Sequence, residues 1–464
     1  MKKLYFYADK PKTNRLFCDW CIDGLELSDI YYPKYNDVNF SKTSKYLVNY
    51  QKNFDNEVLR ILNIIHKSNY NLRHWKILLG RWSKYFLQSI YFRVHYLDTV
   101  VKKNRISELH FCFNEKKIFK PNTPLEMIKM LNNEEFNNYL LYKISLLIFE
   151  KKKIKIFVRN KKNIIEFQYP KFAFHLKQIF LNKVNFFLKF LIPKNSPVIV
   201  NTYFPRLEEF KMIFKFKSFL LWNNFFYNKN NELVNKLKKI HINSNRNQVC
   251  INKMYNKKFD KIINYFFFKL IPQCYLEHYN FCKNFVSKNF FLKPNFIFSS
   301  NNFVYDEFFK ILLTENILKI GTKYFAGQHG SAYGLFKDQE NTVEEQTSDK
   351  FLTWGWKYKK NHFPTFLFKT YKKKKRYNLN KIKKILIVTE HFPLQINFYN
   401  SKLLFLDHLN KSVNLINKFK ANKNLSFEFK IHDLDEKNKE FYVKYFKKNL
   451  YNNNFSFTFS KKNI

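Results

Sequence analysis

Apolar residues in the first third of the chain recur at helical spacing, and further on this gives way to short apolar runs bounded by polar tips. Val58, Leu59, Leu62, Ile65 and His66 share one face of a helical region predicted over Tyr46–Tyr96, and Trp75 to Phe92 supplies a second amphipathic run around Gly80. In the Lys-rich middle, Thr123 is placed to cap a helix over Leu125–Met130. Short strands are predicted at Leu4–Tyr7 and Arg15–Phe17, flanking a polar turn at Pro11–Asn14, and a charged hairpin at Ile154–Val158 and Ile164–Tyr169.

From Pro197 onward strand and helix alternate. Pro197–Tyr203 reads as a buried strand ending in a polar tip, and Pro294–Ser300 repeats that design. Asp306–Asn316 reads as the following helix and Gly321–Ala326 as the next strand. This order predicts a parallel, doubly wound sheet with ligand-binding loops at the carboxyl ends of its strands. Lys357–Lys384, with the basic run Lys372–Arg376, reads as a linker. Beyond it come a strand at Ile385–Thr389, a helix over Leu403–Phe419, a strand at Leu425–Ile431, a helix near Glu440–Phe446 and a last strand-like stretch. The expected fold class is therefore α/β, with an N-terminal α/β domain over 1–356 that carries a helical segment, a linker over 357–384 and a partial Rossmann-like domain over 385–464. About three strands are foreseen there, where a Rossmann-like domain has five or six. Either a partner completes that domain or the chain is a shortened version of a longer protein.

Composition changes this picture only in part. The net charge of +47 over 464 residues would ordinarily raise nucleic acid. The basic residues are spread along the chain, however, in a composition rich in Lys, Asn, Phe, Ile and Tyr and poor in Ala and Gly, the bias expected of an AT-rich gene. We therefore expect solvated basic faces rather than a nucleic-acid groove, and anionic partners such as sugar nucleotides, lipid phosphates or the inner membrane leaflet. The 56 phenylalanines fit a core in which Phe replaces Leu and Val. Cys18 and Cys21 have CxxC spacing, but no second pair completes a zinc site, so thiols in a reducing cytosol are expected. The opening lacks the pattern of a signal peptide and the apolar runs are too short to span a bilayer, which predicts a cytoplasmic protein that touches the inner face of the membrane.

The candidate chemistry centres on Phe325–Gly334. Only 7 glycines occur in the chain, and Gly327, Gly330 and Gly334 fall in this segment, where a backbone with φ > 0 or close approach to a ligand is expected. His329 sits between the first two, either as a general base for an acceptor hydroxyl, as a donor to phosphate charge, or simply as a residue that fixes a turn. No Gly-Lys-Ser/Thr follows, which excludes a Walker A loop. Gln328, Gly330, Tyr333 and Gly334 complete the expected substrate loop. Asp306 and Glu307 open the helix after the Phe296 strand, where carboxylates favour a helix N-terminus; Glu307 is also placed to orient His329. Glu340, Glu344, Glu345 and Asp349 form an acidic island whose spacing fits no metal site, so a solvated loop or internal ion pairs are expected. Histidines in the helical segment, His66 and His74, read as core residues, whereas Arg73 could reach an anionic substrate. His432, at the end of the Leu425 strand, is a secondary substrate-binding candidate.

These residues carry a resemblance. Leu62-Asn63 with His66, Arg73–Gly80 with Trp82, Asn201-Thr202-Tyr203, Ile271-Pro272 with Tyr275-Leu276-Glu277, Asp306-Glu307 with Phe309-Lys310, Gly327–Gly330 with Tyr333-Gly334, and Asp349 with Phe351–Trp356 resemble a family of transferases encoded in bacterial O-antigen and surface-polysaccharide gene clusters. The family usually has a further glycine-type position where this chain has Ser331-Ala332, and its members run on past the point where this chain stops. The resemblance implies a two-domain, glycosyltransferase-B-like architecture of Rossmann-like domains with helical insertions in the first. It also implies transfer of a glycosyl or related group from a nucleotide-activated donor to a glycan or lipid-linked acceptor. The donor is a substrate and no cofactor is expected; no metal-site residues are assigned, and metal dependence stays open. The Gln-His-Gly element is similar to the histidine loop of glycerophosphate and capsule polymerases, in which that histidine is the base. The competing class is a degenerate, shortened relative that binds a glycan precursor without turning it over.

Overall fold

The structure is a computed structural model that describes residues 2–7, 15–17, 40–131, 133–150, 153–160, 192–218, 257–290, 292–330, 333–334, 342–370, 384–389, 402–419, 425–431, 439–450 and 455–458. The expected strand at Ile164–Tyr169, the Cys18–Cys21 pair, the run Lys372–Arg376, and Ser331, Ala332, Glu340 and His432 lie outside the described residues.

Strands β1 (Lys2–Tyr5), β2 (Arg15–Phe17), β3 (Ile106–Phe113) and β4 (Lys155–Asn160) form a parallel sheet in the order β2-β1-β3-β4. The strand order turns back at β1, which is compatible with a Rossmann-like fold. β3 alternates as a sheet packed on one face should, burying Leu109, Phe111 and Phe113. Of the expected hairpin, the stretch at Ile154 forms β4, which pairs with β3 in parallel, and the second strand falls outside the described residues.

Two long helices, Phe40–His66 and Leu72–Asn104, pack against each other. The turn between them is tied by Asn63, whose side-chain oxygen accepts from Ser68 Oγ (3.0 Å), the Tyr70 amide (3.2 Å) and Trp75 Nε1 (2.9 Å). Asn71 caps the second helix by accepting from the His74 amide at 2.9 Å. The Thr123 cap forms as expected, holding a helix over Pro124–Met130.

Strands β5 (Val198–Val200), β6 (Phe296–Ser299), β7 (Lys323–Gly327), β8 (Lys350–Thr353) and β9 (His362–Pro364) form a second, wholly parallel sheet in sequential order. Among the described strands this sheet does not reverse, so it is not doubly wound as expected: each connection steps to the next position in the same direction. The Glu307–Ile320 helix links β6 to β7, capped by Asp306 at one end and by Gly321, at φ +68°, at the other. β9 lies inside the stretch expected to be a linker and extends the sheet beyond Trp356. One hydrophobic core runs from Leu4 to Phe351, joining both sheets through the Leu72–Asn104 helix.

Strands β10 (Lys384–Val388), β11 (Ser426–Lys430) and β12 (Phe455–Thr458) form a third parallel sheet. With the helices Lys402–Lys418 and Lys439–Asn449 it has its own core around Leu409, Ile416, Phe427, Phe429, Tyr442 and Phe446. The chain is thus α/β, built on parallel sheets with many helices. Among the described residues no helix is long and apolar enough to cross a membrane.

Candidate functional site

The carboxyl ends of β5, β6 and β7 meet at one edge of the second sheet, where parallel α/β sheets place ligands. β5 ends in Asn201 and Tyr203, both with left-handed backbones (φ +48° and +67°) although neither is glycine. Such conformations cost on the order of 1–3 kcal/mol each and persist where their surroundings enforce them. Here the next tip does so: the Ser300 amide donates to the Asn201 carbonyl (3.1 Å), Ser300 Oγ to the Thr202 carbonyl (2.8 Å) and Asn301 Nδ2 to the Tyr203 hydroxyl (3.1 Å).

β7 delivers Gly327, Gln328, His329 and Gly330 beside these tips. A Cβ on Gly327 would stand 2.4 Å from Ser300 Oγ and 2.9 Å from the Phe368 ring, so glycine is required here by the packing of neighbouring side chains. Gly334 has φ +73° and needs glycine for its backbone, whereas a Cβ on Gly330 would meet nothing within 4 Å. Gln328 is buried and holds the loop. Its side-chain amide donates to the Gly330 carbonyl (2.8 Å) and its oxygen accepts from the Trp354 amide (2.8 Å) and Trp356 Nε1 (2.9 Å). That accounts for the Trp354-Gly355-Trp356 segment, which serves as the loop's anchor.

His329 is half-buried, and its ring is engaged from two sides. The Tyr333 oxygen lies 3.1 Å from Nδ1, and the Tyr333 hydroxyl donates to Glu344, so a carboxylate reaches the imidazole through a phenol. The Tyr203 ring stands across from it, with centroids 6.2 Å apart, and Lys369 Nζ lies 4.8 Å from the centre of the Tyr203 ring. Burial is the largest influence on His329 and holds its pKa below the ordinary imidazole value. Glu344 and a hydrogen bond to the Ser300 backbone favour the protonated ring, and Arg81 opposes it. Burial beside Glu344 pushes the Tyr333 phenol far up, so it stays protonated. At neutral pH the arrangement therefore presents an unprotonated imidazole with partners ready for its charged form.

Glu344 comes from a short helix, Val343–Thr347, at whose start the Thr342 amide donates to Glu345 Oε2 at 2.8 Å. Gly80 sets this helix's approach to the long Leu72–Asn104 helix: a Cβ there would lie 2.9 Å from Val343 Cγ2. Of the acidic island, Glu345 pairs with Lys359 at 3.2 Å and Asp349 with Arg73 at 2.8 Å, the internal ion pairs that were expected. No group of three or more His, Cys, Asp or Glu among the described residues is placed to hold a metal ion.

Of the other candidates, Glu307 and Arg73 are placed differently from the sequence expectation, whereas Asp306 takes the helix N-terminal position foreseen for it. Glu307 is buried, pairs with the buried Lys310 at 2.8 Å and accepts from the Tyr275 hydroxyl; among the described residues no hydrogen bond joins it to His329. The carboxylate linked to His329 is Glu344. Asp306 is fully buried and accepts from the Phe309 amide at 3.0 Å as a helix cap. Arg73 donates to the Thr347 carbonyl (2.8 Å) and pairs with Asp349, so its guanidinium clamps the start of β8 rather than standing open to a substrate. His66 and His74 are core residues as expected: His66 Nε2 lies 3.0 Å from the Tyr275 carbonyl and His74 Nε2 lies 2.7 Å from the Tyr279 hydroxyl. The participants that sequence reasoning did not assign are Glu344, Tyr203, Ser300 and Lys369. For Glu344 the one available signal was an acidic residue in a basic chain.

A model of the family described as LIC12162 family transferase matches residues 18–462. No curated protein and no solved structure matches the chain.

Proposed function

Because the chain belongs to the LIC12162 family of transferases, we propose that it moves a glycosyl or related group from a nucleotide-activated donor to a hydroxyl of a surface-glycan precursor, with His329 as general base. The Glu344–Tyr333–His329 chain at the carboxyl edge of a parallel sheet is the observation that carries this reading. His329 would take the acceptor's hydroxyl proton as that oxygen bonds to the donor carbon, and the bond to the nucleoside phosphate would break with its electron pair leaving on the phosphate. The lowered pKa keeps the ring able to accept the proton at neutral pH. Glu344, acting through Tyr333, and the Ser300 backbone then stabilise the imidazolium. The Tyr203 ring offers a face on which a sugar could pack opposite His329, and Lys369 beside it offers charge to a phosphate. In this reading Gly330 leaves room for the acceptor, and the C-terminal sheet is the donor-side half of a glycosyltransferase-B-like pair.

A thermal-shift screen against nucleotide-activated sugars and CDP-glycerol tests it. We expect one donor class to raise the melting temperature and then to be turned over by the native protein, with turnover falling by about 10²-fold or more in His329→Ala. A donor shift without turnover in any acceptor mixture would favour the binding-protein reading, and equal turnover in His329→Ala would remove His329 from the chemistry.

A further inference from the structure

The helix Arg206–Lys215 follows directly on the Asn201–Tyr203 tip, and none of its residues is buried. Its two faces differ sharply. Glu208, Glu209, Met212 and Ile213 are half-covered and face inward, where Glu209 accepts from the Thr202 amide at 3.3 Å. The outward face carries Leu207, Phe210 and Phe214, with 74%, 57% and 67% of their surface exposed. Interleaved with them are the exposed cations Arg206, Lys211 and Lys215, with Lys217 just beyond; Lys211 also pairs with Glu208 at 3.1 Å, so Arg206, Lys215 and Lys217 carry most of the face's positive charge. Phe204, at the foot of the helix, contacts Phe366, which with Leu367 extends the exposed apolar surface toward Lys369.

A helix whose solvent face alternates large apolar and basic residues suits the headgroup boundary of an anionic bilayer. Leu and Phe enter the acyl edge there while Lys and Arg meet lipid phosphates. A second copy of this face would set like charges against each other, which argues against self-association. We propose that Arg206–Lys215, with Phe366 and Leu367, is a docking surface for anionic phospholipid membranes. Exposure and charge alone mark this surface, independently of the transferase reading, although docking here would bring the His329 edge to the level of a lipid-linked acceptor.

Because a chain of net charge +47 will adhere weakly to any anionic surface, the test must separate charge from insertion. Flotation would compare vesicles of phosphatidylcholine alone with vesicles containing about one third phosphatidylglycerol. The proteins would be the native chain, Phe210→Ser with Phe214→Ser, Lys211→Gln with Lys215→Gln, and His329→Ala. We expect the native chain to float with the anionic vesicles and the phenylalanine pair, whose charge is unchanged, to bind at least about tenfold more weakly. The lysine pair should lose most of its preference for anionic vesicles, and His329→Ala should bind as the native chain does, so a failed base assignment and a failed docking surface give different results. The exposed positions leave the core intact, which melting curves would verify. Undiminished binding by the phenylalanine pair would overturn the proposal by reducing the interaction to general electrostatics. So would no flotation of the native chain, or a native dimer that the phenylalanine pair abolishes.

Discussion

His329 is held by two opposing influences of its own site. Burial keeps the ring neutral, and Glu344, reached through the Tyr333 hydroxyl, makes protonation less costly than burial alone would. Glu344→Gln removes the charge while preserving a hydrogen-bond acceptor, so the His329 pKa should fall further below its native position. Tyr333→Phe should act the same way, by removing the bridge. An NMR titration of the His329 ring would read the shift directly, and in an active preparation the acid limb of the pH–rate profile should move to lower pH as the rate drops. Glu307→Gln should leave that titration in place, because Glu307 is paired with Lys310 and Tyr275. An unmoved His329 midpoint in Glu344→Gln would show that the three groups are not coupled. Much of this loop was legible at the level of residue type: a glycine-poor chain concentrates three glycines around one histidine, and Gln328, Tyr333 and Gly334 fall in the same few residues. Glu344 was not legible, because its link to His329 depends on where a separate short helix is packed.

That packing belongs to the scale of elements. The Leu72–Asn104 helix backs the site, with Arg73 clamping the Thr347 carbonyl and Asp349, and Gly80 admitting Val343 at a distance no side chain would allow. Gly80→Ala gains helix propensity, worth about 1 kcal/mol, but drives its methyl into Val343. Since Val343 precedes Glu344, the expected outcome is a displaced carboxylate and a changed His329 titration, with Val343→Ala restoring both. The double-mutant coupling in unfolding free energy should be about 0.5–3 kcal/mol; values that simply add would mean the two helices are not in register-critical contact. Helix existence and caps were readable from the sequence, as Thr123 and Asp306 show, and so were the strands around Ile199, Phe298 and Tyr324. Pairing was not. β4 joins β3 in parallel and the β5–β9 sheet runs in sequence without reversal, outcomes set by crossover direction and by which faces find cover, neither of which is written in a local pattern.

At the scale of the whole molecule, buried histidines couple the fold to pH. His74 stacks on Tyr70 with centroids 4.0 Å apart, contacts the Tyr279 hydroxyl and is held down to a pKa of about 3, chiefly by burial and then by the Lys283 charge. His66 and His329 are lowered in the same direction by the same principal cause. Above the unfolded pKa near 6.5 these rings are neutral in both states and their contribution to stability is complete. As pH falls below that value the unfolded chain takes up protons that the native rings refuse, so stability declines. For His74 alone the loss reaches about 2 kcal/mol by pH 5. Asp55 works the other way. Its carboxyl is raised to about 6, mainly by burial, and this single group returns some stability as pH drops below 6. His362 is lowered too, to about 4, by burial and then by Lys359. Among the described residues, four histidines against one carboxyl predict a melting temperature that falls between pH 7 and pH 5. His74→Gln, whatever its cost at pH 7, should flatten that slope by about one proton's worth. Measured melting curves across that range decide the matter: a native slope that is flat or rises toward pH 5 would mean that the buried rings are not held neutral by the fold.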